Sequence, residues 1–420
     1  MAPTVRRALH AKGWTHASQF LWPLHLLAGV NRQGAYLALL PVHFTYAFGS
    51  GLQASAGLPR LTEAVRLARL AEAPLGAKGE ARHLKKTAAS SSWILAPLAA
   101  EVALQQGELF LPSALRWRAD IKAQPDIAFE LLQPAFARQV VAMAQDIVTF
   151  SHATASLRLI DMGSGPGVHL LMLQELLPDL SVLAVEPDAT AFAHLAENTQ
   201  GVEGIKGHHG GFMDLDLAPG LAPVITCVGA AHHFNAAFML QKCMLLLQAG
   251  GVLSVADEFL PEFHSQEERQ LAQVRHHCAY IVSIMASLER SAGVGMDEGD
   301  GPFYEVFQQG LALASIDAEH GHSAQAVKGC RDLLARLRQQ SSKQPTQPIG
   351  CYTRFFWREL QAMVAGFDHE ARRQTYARRF AELAGMAGFE LLRHRRVFAT
   401  ADADEWSGGT HVFTFRKPHH

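Results

Sequence analysis

Hydrophobic positions along the 420-residue chain follow two rhythms. Between residues 157 and 259, short apolar runs (LRLIDM, SVLAVEPD, APVITCVGA, GGVLSVADEF) alternate with helical stretches (VHLLMLQELL, ATAFAHLAENT, FMLQKCMLLL), and GIKGHHGGF supplies a further short segment. Strands separated by helices predict repeated βα units, hence an α/β fold with a doubly wound, mostly parallel, Rossmann-like sheet. Elsewhere apolar residues return every three or four positions, the spacing of a helix face. This spacing predicts a helix over 61–73 and one carrying Phe136, Val140, Met143, Ala144, Ile147 and Phe150. A long helix carries Leu271, Val274, Cys278, Ile281, Met285 and Leu288, and further helical patterns cover 304–318 and 326–337 before a polar SSKQPTQP loop. Tyr376, Phe380, Leu383 and Met386 form a last helix, and AGFELLRHRRVFA with HVFTFRK reads as an antiparallel pair closing the sheet.

The pattern divides the chain into five parts: an acid-poor extension over 1–84, a helical lid or dimerisation region over 85–150, and the core over 151–262. A helical insertion over 263–350 and a final helix with closing strands over 351–420 follow. An insertion at that point hangs over the carboxyl ends of the strands, where open α/β sheets bind ligands.

Composition narrows what such a chain does. With 49% hydrophobic and 18% charged residues and a net charge of −2, it has no field to hold a polymeric anion, which argues against a nucleic-acid partner. Apolar runs near the start are interrupted by Pro23, His25, Arg32, Pro41 and His43, short of the roughly 18 to 20 residues of a membrane span. Five cysteines without a CxxC spacing suit a reducing compartment. The cytoplasm is therefore the expected location, with organelle targeting through the acid-free, Arg-bearing residues 1–62 as the alternative. A homodimer would form through the helical regions.

The chemistry concentrates after the first strand. Asp161, Gly163, Ser164, Gly165 and Gly167 lie between that strand and a helix, where glycines permit a sharp turn and backbone N–H groups approach a ligand. A dinucleotide fingerprint would need Gly or Ala at Val168, and an acid at Asp161 suits a cationic amine better than a pyrophosphate. Glu186 ends the second strand, at a distance suited to a ribose diol, and Asp214 follows the third, within reach of an adenine amine. These residues resemble those of a class I S-adenosylmethionine-dependent methyltransferase over 157–262. The resemblance implies S-adenosylmethionine as cofactor, with Asp161, Gly163, Ser164, Gly165 and Gly167 at its methionine end, Glu186 at the ribose and Asp214 at the adenine.

The stretch from Gly229 to Phe234 and the run from Val255 to Glu262 are similar to the small-molecule O-methyltransferase branch. There a histidine after the fourth strand serves as base and an acid after the fifth orients it, which here are His233 or His232 with Asp257 or Glu258. The acceptor is then a small, fairly apolar metabolite offering an oxygen, nitrogen or carbon nucleophile. His233, Asp257 and His277 also contain the ligands of a facial iron or manganese site, although packing is the plainer role for such histidines. His208 and His209 read as loop residues. Arg372, Arg373, Arg378 and Arg379, with acids nearby, read as a solvated helix face. Two other functions compete: an NAD(P)-dependent oxidoreductase, disfavoured by Val168, and a non-catalytic cofactor-binding scaffold.

Overall fold

The computed structural model describes residue 130 and residues 134–151, 157–177, 179–290, 300–339, 348–369 and 372–419. The extension over 1–84, its 61–73 helix and all but one residue of 85–133 lie outside these. Among the described residues the order is α1 (Pro134–Phe150), β1 (Leu157–Met162), α2 (Val168–Leu176), β2 (Leu180–Glu186), α3 (Ala189–Asn198), β3 (Ile205–His209) and β4 (Ala222–Val228). There follow α4 (Ala236–Leu246), β5 (Leu247–Phe259), α5 (Gln266–Arg290), α6 (Asp300–Glu319), α7 (Ser323–Gln339), α8 (Pro348–Gly366), α9 (Ala377–Met386), β6 (Glu390–Ala399) and β7 (Gly409–Arg416).

The strands form one seven-stranded sheet in the order β3-β2-β1-β4-β5-β7-β6. β1 to β5 pair in parallel, and β7 enters antiparallel between β5 and β6. Their sequences explain the arrangement: β1 and β4 are nearly all buried, as continuous apolar runs require when helices cover both faces. β3 carries the polar sequence IKGHH and stands exposed at the edge. Chain order reverses between β1 and β4, and the crevice at a reversal is where this class of sheet binds ligands.

The helical insertion has its own core, built from Val274, Cys278, Ile281, Phe307, Leu311, Leu333, Phe356 and Leu360. Each large apolar side chain buried there contributes about 2 kcal/mol. Phe356, Leu360, Met363 and Phe367 bring α8 into that core, so the helical unit runs on to residue 366 rather than ending at 350. The described part of the region placed at 85–150, α1, packs against the sheet: its buried face of Val140, Met143, Ala144 and Ile147 meets α2, β5, β6 and β7.

Candidate active site

The loop after β1 is held by its glycines and by one buried acid. Gly163, Gly165 and Gly167 have φ of 69°, 52° and 81°, which L side chains rarely adopt. A Cβ on Gly163 would stand 2.6 Å from the Ala230 Cβ, and one on Gly167 2.5 Å from Leu195 Cδ1; on Gly165 it would meet, among the described residues, Glu130 alone at 3.6 Å. Among the described residues Gly165 is thus the open position of the cradle, while the loop after β4 packs directly against Gly163.

Asp161 is fully buried and faces inward rather than toward a ligand amine. Thr226 Oγ1 donates to its Oδ1 at 2.6 Å, Ser164 Oγ donates to Oδ2 at 2.7 Å, and His169 Nε2 lies 2.8 Å from Oδ2. The hydroxyl of Ser164, expected at the cofactor, is used in this internal knot instead. Asp161 at the strand end shapes the loop by tying β1, β4 and α2 together.

Glu186 does face the cradle. Its Oε2 accepts the Gly165 N–H and its Oε1 the Asp188 N–H, both at 2.8 Å. Asp214, in the 3-10 turn Phe212–Asp214, is exposed beyond the end of β3. Sequence reasoning missed Glu130, whose buried Oε2 has no hydrogen-bond partner. Burial, with the charge of Glu186, pushes its pKa up to about 8. The cradle fits S-adenosylmethionine: Glu186 and Asp214 offer acceptors in the required order, and the neutral acid of Glu130 lies beside a position only glycine leaves open.

Beyond β4, the turn Ala231–His233 brings two imidazoles over the crevice. Asp257 orients His232, not His233. His232 Nδ1 lies 2.9 Å from Asp257 Oδ1, and the His232 backbone N–H donates to Oδ2 at 2.8 Å. Arg372 Nη2 lies 2.8 Å from His232 Nε2. Arginine only donates, so Nε2 carries the lone pair and Nδ1 the proton. Burial works to raise the pKa of Asp257, but His232 and the Glu258 N–H outweigh it and hold it below the ordinary value. His233 is the solvent-reaching ring of the pair; the surrounding protein, His232 and Arg372 lower its pKa to about 4.

Glu258 points to the other face of β5 from Asp257, as successive strand residues must. His233 and Asp257 therefore do not join His277. The residues brought together are Glu258, His277 and Glu359, whose ligand atoms all lie within 4.8 Å of one another. His277 Nδ1 is 2.5 Å from Glu359 Oε1, and His276 Nε2 is 3.7 Å from Glu258 Oε2. Burial lowers the pKa of His276, and that of His277 to about 3. Burial and the charge of Glu258 raise Glu359 to about 8. Against its own burial, Glu258 is held low by His276 and His277.

Arg372 and Arg373 are not on a helix face. They lie in the irregular segment after α8, where the Arg372 N–H closes a turn onto the Asp368 carbonyl at 3.1 Å and the Arg373 N–H donates to the His232 carbonyl at 2.9 Å. Arg378 and Arg379 do form the solvated face, 3.2 Å from Asp404 and Glu382. His208 and His209 are exposed on β3, with His209 stacked on Phe192. No described helix is long and apolar enough to cross a membrane.

Residues 159–251 match the sequence profile of the methyltransferase domain family. No curated protein matches the sequence. Similar solved structures include the YcgJ protein of Bacillus subtilis, 13% identical over 67% of this chain and 99% of that one, with a TM-score of 0.32. PKMT2 from Rickettsia typhi in complex with AdoHcy is 14% identical over 62% of this chain and 48% of that one, with a TM-score of 0.34. A geranyl diphosphate methyltransferase in complex with GPP and sinefungin is 9% identical over 69% of this chain and 82% of that one, with a TM-score of 0.32.

Proposed function

We propose that this chain, which carries a class I S-adenosylmethionine-dependent methyltransferase domain, methylates a small-molecule acceptor at an oxygen, nitrogen or carbon nucleophile, with His232 as the base. The cofactor supplies an activated methyl group and its own leaving group. What remains for the protein is to align the acceptor and take up its proton. Gly163, Gly165 and Gly167 form the methionine end of the cradle, which Asp161 and Ser164 shape. Glu186 takes the ribose and Asp214 the adenine.

The observation that carries the reading is the His232–Asp257 pair next to Ala230, which closes the cradle over Gly163. Asp257 fixes the tautomer so that the lone pair of Nε2 points out of the pair. Arg372 occupies that lone pair at rest, and its Nη1 has no hydrogen-bond partner. The guanidinium can therefore turn aside as the acceptor's acidic hydrogen takes its place, and it then faces the negative charge that develops on the nucleophile. Arg372 and Arg373 hold the segment after α8 against His232. Glu258, weighed beside Asp257 as the orienting acid, faces a separate cluster.

Steady-state kinetics on the acceptor, once found by mass spectrometry of labelled products from a metabolite extract, tests the assignment. His232→Gln and Asp257→Asn each lower kcat by about 100-fold or more, while cofactor affinity by calorimetry stays within a few-fold. His233→Ala has the smaller effect. Unchanged kcat in His232→Gln would sink the base assignment.

A further inference from the structure

We propose that Glu258, His277 and Glu359 bind a divalent first-row transition-metal ion, with His276 Nε2 as a fourth ligand. This goes beyond the methyl-transfer reading and does not need His232 to be the base. The three side chains come from β5, α5 and α8, with α8 beginning well past α5 in the chain, and His277 and Glu359 are almost wholly buried.

Metal–ligand bonds of about 2.1 Å set the ligand atoms of one ion roughly 3 to 4 Å apart. The separations here run from 2.5 Å, between His277 and Glu359, to at most 4.8 Å. An ion therefore requires the closest pair to open and the widest to draw in, both by small side-chain rotations. Two carboxylates match the charge of a divalent cation. A mixed imidazole and carboxylate set favours manganese(II), iron(II) or zinc(II) over calcium.

The unpaired atoms around the cluster point the same way. His276 Nε2 is buried without a hydrogen-bond partner, and its Nδ1 lies 2.7 Å from Thr400 Oγ1, which can accept the ring proton and free Nε2 to ligate. Gln273 Oε1 is also buried without a partner, while Gln273 Nε2 lies 3.0 Å from His277 Nε2. Turning the Gln273 amide over, with Gln374 turned likewise, lets Gln273 Oε1 accept a proton from His277 Nε2. Nδ1 then presents its lone pair to the two carboxylates. A histidine whose outer nitrogen donates to a carbonyl is the usual posture of a metal ligand. Gln374 gives up only a 3.5 Å contact to the Glu258 carbonyl.

The full chain, stripped with chelator, is titrated with manganese(II) and zinc(II) by calorimetry and thermal shift. One ion should bind per chain and raise Tm. Glu359→Gln and His277→Gln should weaken binding by about tenfold or more. His320→Ala with His322→Ala, which removes an exposed histidine pair, should leave it unchanged. Cofactor binding, titrated in parallel, checks the fold of each variant and separates failure of this site from failure of the methyltransferase reading. Should a variant not fold, electron spin echo spectra of the manganese(II)-loaded wild type decide, since imidazole ligation shows as nitrogen coupling. No binding to the stripped protein, equal binding in folded variants, or loaded protein without nitrogen coupling overturns the proposal.

Discussion

Glu130 is the single side chain whose charge state cofactor binding should change most. Its pKa is pushed up to about 8 by burial and by Glu186, so at neutral pH it stands mainly as the neutral acid. A cofactor with a sulfonium brings positive charge to the cradle and favours the carboxylate. Binding then releases a proton wherever the pH is below the raised pKa, and affinity rises with pH up to about 8. S-adenosylhomocysteine, lacking the sulfonium, draws out less of that response. The expected outcome is a ratio of S-adenosylmethionine to S-adenosylhomocysteine affinity that grows several-fold between about pH 6.5 and about pH 8.5, and that flattens in Glu130→Gln. Equal pH dependence in wild type and variant, measured by calorimetry, would place Glu130 away from the sulfonium.

Between elements, a buried polar tie joins α1 to the closing strands. Asp146 is fully buried and lies 2.8 Å from Arg393 and 2.6 Å from Arg395 of β6, and it accepts from Thr414 Oγ1 of β7 at 2.8 Å. Asp146→Ala removes three charge-assisted partners but leaves both arginines part access to water, so a loss of about 2 to 3 kcal/mol is expected. Thermal unfolding should show this as a Tm lower by several degrees, with cofactor affinity unchanged; a shift within a degree would mean that apolar packing alone docks α1. At this scale the sequence was most legible where a signal is local. The parallel strands are continuous apolar runs, and the loop glycines and Glu186 sit at fixed offsets from a strand end. The partners of Asp257 and Glu258 were not legible, because a strand's alternation says only that the two face opposite ways. Arg372 and His277 arrive from segments far along the chain. Glu359 did leave a trace: it lies on α8 within the stripe formed by Phe356, Leu360 and Met363, and an acid on an apolar face asks for a buried partner.

For the whole molecule, the buried titratable groups set opposing slopes on stability against pH. Glu130 binds its proton more tightly folded than unfolded. Its contribution is therefore complete below its unfolded pKa of about 4.3 and is lost as pH rises toward about 8. Histidines of the β6–β7 hairpin act the other way. His394 Nε2 lies 2.8 Å from His411 Nδ1, and His411 Nε2 lies 2.8 Å from the Ser407 carbonyl. Since Ser407 can only accept, His411 Nδ1 must accept from His394, and both rings are neutral. Burial, reinforced by Arg396, lowers the pKa of His394 to about 4; burial and His394 hold His411 further down. Groups with depressed histidine pKa values lose stability as pH falls below the unfolded value of about 6.5. With His233, His276 and His277 depressed as well, five such rings outweigh two raised acids, Glu130 and Glu359, between about pH 4.5 and about pH 6.5, while above that range only the slope of the acids remains. Stability of the chelator-treated protein should peak near about pH 6.5 and decline on both sides. Glu130→Gln should reduce the slope of the alkaline side alone, leaving the part due to Glu359, and His394→Gln, which keeps a donor toward His411, should soften the acid side alone. Denaturant midpoints across this range, with unchanged m-values, read both slopes; a midpoint still rising above about pH 8 would show that neither group governs them.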